Sequence, residues 1–283
     1  MEMKFANIRT LLAAACCSAG VAEAQIELVT NAAPQCVFFG DARSIAATFH
    51  NPGAQDYGRD VRTVISQAGS ATAIALGERP WKFLQVLPLQ TVLESVRLDF
   101  PPVKSETKFI VQWVENSNHI IGKTEVLVYP TNLLHELKLM MDENEDNLGV
   151  LDQHNQLKPA LKQSAIRFID LAETGMDSFH GKLAIIGPSG PDDPEWRGLA
   201  DRISRMARRG TPAVWIQSPP PKRDEIRPSF YTVPENTNAV VMVQPELVAD
   251  LPGNPQSQLN LIFFCRQALN PRPPALPELT PNP

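Results

Sequence analysis

The chain has 283 residues, of which 43% are hydrophobic and 20% are charged. This composition is typical of a packed globular protein with room for roughly two domains, and it excludes disorder over most of the chain. The 31 acidic and 26 basic residues give a formal net charge of −5 and lie in small mixed clusters. Because a nucleic-acid-binding protein needs a concentrated basic surface, we expect no nucleic-acid partner.

The N-terminal residues have the pattern of an export signal. Lys4 and Arg9 precede an apolar stretch over 10–21 and an Ala-x-Ala cleavage motif at 22–24, the three parts of a secretory signal peptide. We interpret 1–24 as that signal, which predicts a periplasmic or extracellular location. Cys16 leaves a lipoprotein alternative open, in which this cysteine carries the lipid. The stretch is shorter than the ~20 residues of a membrane span, and no transmembrane span is expected.

Residues 25–130 have the pattern of strands and turns. Val96, Leu98 and Phe100 alternate with polar residues, which predicts one buried and one solvated face. Similar alternating runs occur at 45–49, 61–65, 109–113 and 126–128, and Pro, Gly and Asn separate them. Seven or more short strands without a helical period predict an antiparallel β-sandwich.

Three features of this half carry a family resemblance. An Asn-x-Gly turn at Asn51 follows a strand, the pair Phe100 and Pro101 closes another, and the last strand ends at 128–130 in Val-Tyr-Pro. This pattern resembles the immunoglobulin-like modules of bacterial exported proteins, the CARDB and fibronectin-like group. The resemblance implies a spacer or a binding surface, and it brings no catalytic residue with it.

Residues 131–269 change to a pattern of alternating helices and buried strands. Apolar residues at helical spacing over 133–141 predict a first helix. Short apolar runs predict strands at 148–151, 166–171, 183–187, 213–217 and 239–243, with helices at 157–164, 194–209 and 255–269. Continuous apolar strands between helices predict a doubly wound parallel sheet, so the fold class is mixed: an antiparallel β-sandwich followed by an α/β domain. The tail over 270–283 contains six prolines and is expected to be disordered.

The run over 181–188, a strand that leads into a glycine turn, resembles flavodoxin-like or class I glutamine-amidotransferase-like domains. Active amidotransferases place a cysteine in the turn after this strand and a histidine near the end of the domain. Here 187–191 reads Gly-Pro-Ser-Gly-Pro, and no histidine follows His180. The resemblance therefore implies the fold and argues against the activity.

Ligands of open α/β sheets bind beyond the carboxyl ends of the strands. The residues predicted to line that crevice are Asp152, His154, Ser189, Asp192 and Gln217, with Asp193 and Ser218 beside them. A serine directly after a strand resembles a nucleophile elbow, and Asp152 and His154 are candidates for its base and orienting residue. Against it, Pro191 stands where the second glycine of that motif belongs. The pattern favours instead a turn serine at Ser189 and, at Asp152 and His154, a polar loop that accepts the next helix.

Metal and cofactor patterns are incomplete in this sequence. No histidine has a His or Cys partner at the spacing of metal ligands. Asp142, Asn144 and Asp146 fit the start of a calcium loop, but Asn147 and Gln153 replace its glycine and glutamate. We expect no metal and no cofactor. Cys36 and Cys265 are expected to be free thiols.

The sequence therefore favours an exported, non-catalytic binding or assembly protein of the bacterial envelope. Its expected partner is another envelope protein or a surface glycan. The alternative is a hydrolase that uses Ser189 in the crevice of the α/β domain.

Overall fold

A computed structural model describes residues 25–30, 33–40, 44–69, 72–131, 133–141, 147–189, 198–217, 230–232 and 240–270. The predicted signal peptide with Cys16, the acidic segment 142–146 and the tail beyond Asn270 lie outside these residues. The described residues form two compact units, one within 25–33, 44–97 and 110–125, the other within 34–43, 98–109 and 126–270. The predicted domain boundary near 130 stays a prediction.

Between 27 and 129 the described residues form the strands β1 (Glu27–Val29), β2 (Gln35–Phe38), β3 (Ser44–His50), β4 (Tyr57–Ala68), β5 (Ala73–Val86), β6 (Thr91–Arg97), β7 (Thr107–Glu115) and β8 (Ile120–Tyr129). One sheet has the order β1-β3-β6 and a second the order β2-β8-β7-β4-β5. β1, β3 and β6 pair antiparallel, as do β4 and β5, whereas β2 runs parallel to β8.

Aromatic side chains fill the core of the first unit. Phe49 of β3 packs edge to face on Trp113 of β7, with ring centroids 5.4 Å apart. Trp81 of β5 lies 4.8 Å from Trp113. The strands predicted at 45–49, 61–65, 109–113 and 126–128 are confirmed. The prediction of a single strand over 96–100 is wrong, because β6 ends at Arg97. Leu98 and Phe100 are nevertheless buried.

The turn after β3 depends on the buried side chain of Asn51. Its amide nitrogen donates to the carbonyl oxygens of Gln55 and Val86, at 2.8 and 3.0 Å. Its amide oxygen accepts from the Gly53 N–H at 2.9 Å. Since Asn51 is fully buried, these bonds satisfy the polar atoms of its side chain, which water cannot reach. The Asn-x-Gly sequence is therefore a structural corner.

In the second unit a six-stranded sheet has the order β10-β9-β11-β12-β14-β13. Its strands are β9 (Leu148–Leu151), β10 (Ile169–Asp170), β11 (Leu183–Ser189), β12 (Ala213–Gln217), β13 (Phe230–Thr232) and β14 (Val240–Val243). Five of them run parallel, and β13 pairs antiparallel with β14. The helices are α1 (His135–Met141), α2 (Lys158–Gln163), α3 (Leu171–Thr174), α4 (Leu199–Arg208) and α5 (Pro255–Leu269), with a 3₁₀ helix at Pro245–Val248.

Helices cover both faces of this sheet. On one face Val150, Ile185 and Val214 pack in a cluster with residues of α1, α2 and α5. On the other, Ile186 and Trp215 pack with residues of α3 and α4. The fold is thus mixed, with antiparallel sheets and a five-stranded parallel sheet flanked by helices.

Two predicted elements of this unit need correction. The strand expected at 166–171 is only Ile169–Asp170, because the Asp170 side chain accepts from the Ala172 N–H and starts α3. Of the helix expected over 194–209, residues 194–197 lie outside the described residues, and α4 begins at Leu199 after Gly198, whose left-handed φ of 81° is not that of a right-handed helix. The remaining predicted strands and helices agree with the structure to within a few residues at their ends.

Candidate functional site

The carboxyl ends of β9, β11 and β12 lie side by side. Leu151 of β9 is in register with Ile186 of β11, and Ser189 is in register with Gln217 of β12. An irregularity in pairing separates Ile186 from Ser189. This is the sheet edge at which open α/β sheets bind ligands, and the residue that follows β9 is Asp152.

Asp152 is buried, and backbone N–H groups occupy both of its carboxylate oxygens. Oδ2 accepts from Leu157 at 2.7 Å and from Lys158 at 2.9 Å, while Oδ1 accepts from Gln156 at 3.1 Å. The first N–H groups of a helix have no partner within the helix. The Asp152 carboxylate accepts hydrogen bonds from these N–H groups at the start of α2, and its negative charge is favourable at that end of the helix. Asp152 therefore closes the loop from β9 to α2.

Lys158 extends this arrangement to the next strand. Its Nζ lies 2.5 Å from Asp170 Oδ2, and Asp170 also caps α3. Burial alone raises the pKa of Asp170, but the bonds from Lys158 and from the Ala172 N–H outweigh it and lower that pKa below its usual value. Hydrogen bonds and this ion pair thus connect the loop after β9 to the last residue of β10.

Gly187 lets β11 approach Asp152. A Cβ atom at this glycine would lie 3.0 Å from the carbonyl oxygen of Leu151 and 3.1 Å from both the Cα and Oδ1 of Asp152. Contacts at these distances are tighter than nine in ten real Cβ contacts. A side chain here would require its neighbours to shift by a few tenths of an ångström, so the glycine fits a close approach of two backbones.

The other predicted site residues have different surroundings. His154 is exposed, whereas Gln217 is buried and donates from Nε2 to Met242 Sδ at 3.7 Å. Only the backbone of Ser189 is described. Asp192, Asp193 and Ser218 lie outside the described residues. The structure therefore places Asp152 beside Gly187 and Ser189 beside Gln217, and it uses Asp152 to hold backbone.

The first unit contains a polar cluster that the sequence analysis missed. Glu115 at the end of β7 is buried, and its carboxylate accepts from Tyr57 Oη at 2.9 Å and from Ser117 Oγ at 3.0 Å. Arg59 and His119 approach the same carboxylate at 3.8 Å. Burial and the bond to Glu115 raise the pKa of Tyr57. The sequence signal that could have indicated this cluster is Glu115 itself, a charged residue at the end of an apolar strand.

A second missed cluster joins β2, β8 and α5 within the second unit. Tyr129 Oη donates to Glu106 Oε2 at 2.8 Å, and the half-buried Cys36 thiol lies 3.7 Å from Gln256 Oε1. Burial and the bond to Glu106 raise the pKa of Tyr129. Burial also raises the pKa of the Cys36 thiol. Cys36 and Cys265 are both free thiols, and a raised pKa lowers the reactive thiolate fraction of Cys36.

Within the described ranges, no group of three or more His, Cys, Asp or Glu side chains is arranged to hold a metal ion. In the same part of the chain, no helix is long and apolar enough to cross a membrane.

Comparisons with known proteins give no family. No family model and no curated protein match the chain. Weak structural matches include the glucose complex of a beta-glucosidase from Listeria innocua, at 13% identity and a TM-score of 0.28 over 38% of this chain and 16% of that one. The DNA-bound alkylpurine DNA glycosylase of Pseudomonas fluorescens also matches at 13% identity and a TM-score of 0.28, over 38% of this chain and 31% of the glycosylase.

The GH3 beta-glucosidase of Bifidobacterium adolescentis matches at 15% identity and a TM-score of 0.25, over 38% of this chain and 17% of that one. The chain thus spans less than a third of each of these structures. At TM-scores below 0.5 they carry no argument about fold or function.

Replacing Asp152 by alanine tests its structural role. We expect Asp152→Ala to lower the free energy of unfolding by about 3 kcal/mol, because three backbone N–H groups lose a charged acceptor. Asp177→Ala is the matched control, since this carboxylate is exposed and only approaches Arg205 and Arg209 at 3.8 and 3.7 Å, and we expect a loss below ~1 kcal/mol. Urea denaturation measures both values. Equal losses would contradict the assignment.

The two tyrosines predict alkaline instability. Their pKa values are raised in the folded chain above the ordinary tyrosine value of about 10, so the stability they contribute is fully present below about pH 10 and is lost as the pH rises further. Tyr57→Phe removes one titrating group, and we expect a shallower loss of the free energy of unfolding between about pH 10 and 12. Unfolding followed at a series of pH values measures the slope. An unchanged slope in Tyr57→Phe would contradict this prediction.

Proposed function

We propose that this chain is an exported, non-catalytic binding or assembly protein of the bacterial envelope. It would combine an immunoglobulin-like β-sandwich with a doubly wound α/β domain. The sheet orders β1-β3-β6 and β2-β8-β7-β4-β5 support the first part, because immunoglobulin-like folds pack two such sheets. The parallel sheet with helices on both faces supports the second.

The distribution of exposed apolar side chains is the main observation that supports a binding role. Of the ten large apolar residues exposed in the described part of the chain, six lie between Ile74 and Leu93. In addition, Val29 of β1, Thr48 of β3 and Leu93 of β6 are in register in one row. Phe49 next to Thr48 is fully buried, while Val29 is 47% and Leu93 73% exposed, so this row lies on the solvent face of the sheet. Apolar residues grouped on a solvent face favour an interaction surface.

The use of Asp152 as a backbone acceptor argues against the hydrolase alternative. In a catalytic triad the carboxylate orients the imidazole of the general base. Here both oxygens of Asp152 bind the N–H groups of 156–158. What supports the alternative is the position of Ser189 at the carboxyl end of β11.

A serine-reactive fluorophosphonate probe separates the two hypotheses. We expect the purified full chain to give no more covalent labelling than Ser189→Ala, since an unactivated serine is a weak nucleophile. Mass spectrometry of the labelled chains measures this. Labelling that disappears in Ser189→Ala, and remains in a control such as Ser178→Ala, would overturn the non-catalytic proposal.

Capture from envelope extracts tests the binding role. We expect the immobilised full chain to retain an envelope component that Leu93→Glu loses, because a charge interrupts the apolar row. Leu139→Glu is the matched control, as Leu139 is similarly exposed but lies on α1. Quantitative mass spectrometry compares the three baits. If no retained component distinguishes Leu93→Glu from the other two, the proposed surface is wrong.

A further inference from the structure

The outer half of the β4–β5 hairpin carries no charge. No Asp, Glu, Lys or Arg occurs between Ile65 and Gly77, a run of thirteen residues in a chain that is 20% charged. On β5 the residues from Ala73 to Arg79 are all exposed, and among them Ile74 is 61% and Leu76 44% exposed. This half of the hairpin thus presents a neutral, partly apolar strand to solvent.

β5 is the last strand in the order of its sheet, and no described strand pairs with the outer edge of Ala73–Gly77. Free edges can pair with another chain, and proteins block them with Pro, charges and bulges. The inner half of β5 has such protection. Pro80 lies there, the pairing with β4 is irregular beside it, and Lys82 Nζ lies 2.5 Å from Glu94 Oε2 of β6. Between Ala73 and Gly77 the edge has no proline and no charge. Its one such feature is a second irregularity in the pairing with β4, at Leu76.

We propose that this edge pairs with the same edge of a second copy of the chain. Two identical strands that pair antiparallel are related by a twofold axis. Each residue then lies opposite the residue of the other copy that is equally many positions from the axis in the other direction along the sequence. An axis at Glu78 or Arg79 would bring two like charges together, which is unfavourable. An axis at Ala75 places Ile74 opposite Leu76 of the second copy and Glu78 opposite Thr72. The charges and the apolar residues therefore favour pairing centred on Ala75.

This inference deepens the proposed assembly role and rests on it, since it names a second copy as the partner of one surface. A dimer formed this way extends the sheet of each copy across the twofold axis. Main-chain hydrogen bonds then provide affinity, and the apolar pair of Ile74 and Leu76 provides register.

A disulfide at the proposed axis tests the register. In a background in which Cys16, Cys17 and Cys36 are replaced by serine, Ala75→Cys places two thiols directly opposite each other, at a Cα separation of about 4.5–5.5 Å that a disulfide bridges. The matched control Thr72→Cys places them about 20 Å apart, because each strand residue rises ~3.3 Å. We expect mild oxidation to give a cross-linked dimer with Ala75→Cys and none with Thr72→Cys. Equal cross-linking of both, or of neither, would overturn the proposal.

The mass of the full chain in solution provides the second test. We expect a dimer in light scattering after gel filtration, with a dissociation constant that Ile74→Lys raises about tenfold or more. Leu139→Lys is the control and is expected to leave the dimer intact. A monomer at every concentration, or a dimer that Ile74→Lys does not weaken, would contradict the proposal. Capture of an envelope component by a monomeric chain would leave the proposed function standing and remove only the self-pairing.

Discussion

The three hydrogen bonds that Asp152 accepts hold the loop between β9 and α2, at the carboxyl end of the parallel sheet. A carboxylate at the carboxyl end of a parallel strand is placed where enzymes of this architecture position reactive groups. In this chain it accepts from the N–H groups of Gln156, Leu157 and Lys158. A Cβ atom at Gly187 on the neighbouring strand would lie 3.0–3.1 Å from Leu151 and Asp152, so the glycine suits the close approach of this loop. The sheet edge is therefore occupied by backbone that the carboxylate orders.

The first unit has exposed apolar side chains at its surface. Its core is held by the rings of Phe49, Trp81 and Trp113, while apolar side chains lie on the solvent side of β1, β5 and β6. Burial in the core and exposure on an edge or outer face are compatible, because neighbouring residues of a strand point to opposite sides. The described residues thus place exposed apolar side chains on the first unit and a backbone-binding carboxylate at the sheet edge of the second.

Sequence predicts the bounds of elements that an unbroken apolar run or a capped start defines. The strands at 148–151 and 213–217 and the helix at 255–269 have the predicted bounds, since unbroken apolar runs and an Asn-Pro start define them. β5 has no such signal, because its outer half is exposed and irregular pairing interrupts its alternation. Residues after neighbouring strands, such as Asp152, could be assigned to one sheet edge. Their hydrogen bonds could not, because they depend on the course of the loop over 152–158.

Amide hydrogen exchange at 156–158, resolved by NMR, tests the central claim most directly. Gln156 and Leu157 precede α2, and Lys158 is its first residue, so none of these N–H groups has an acceptor within the helix. If Asp152 holds them, all three exchange slowly in the native chain and at close to the rates of an unstructured peptide in Asp152→Ala, which removes both carboxylate oxygens. Rapid exchange at these positions in the native chain would mean that the carboxylate is available for another role.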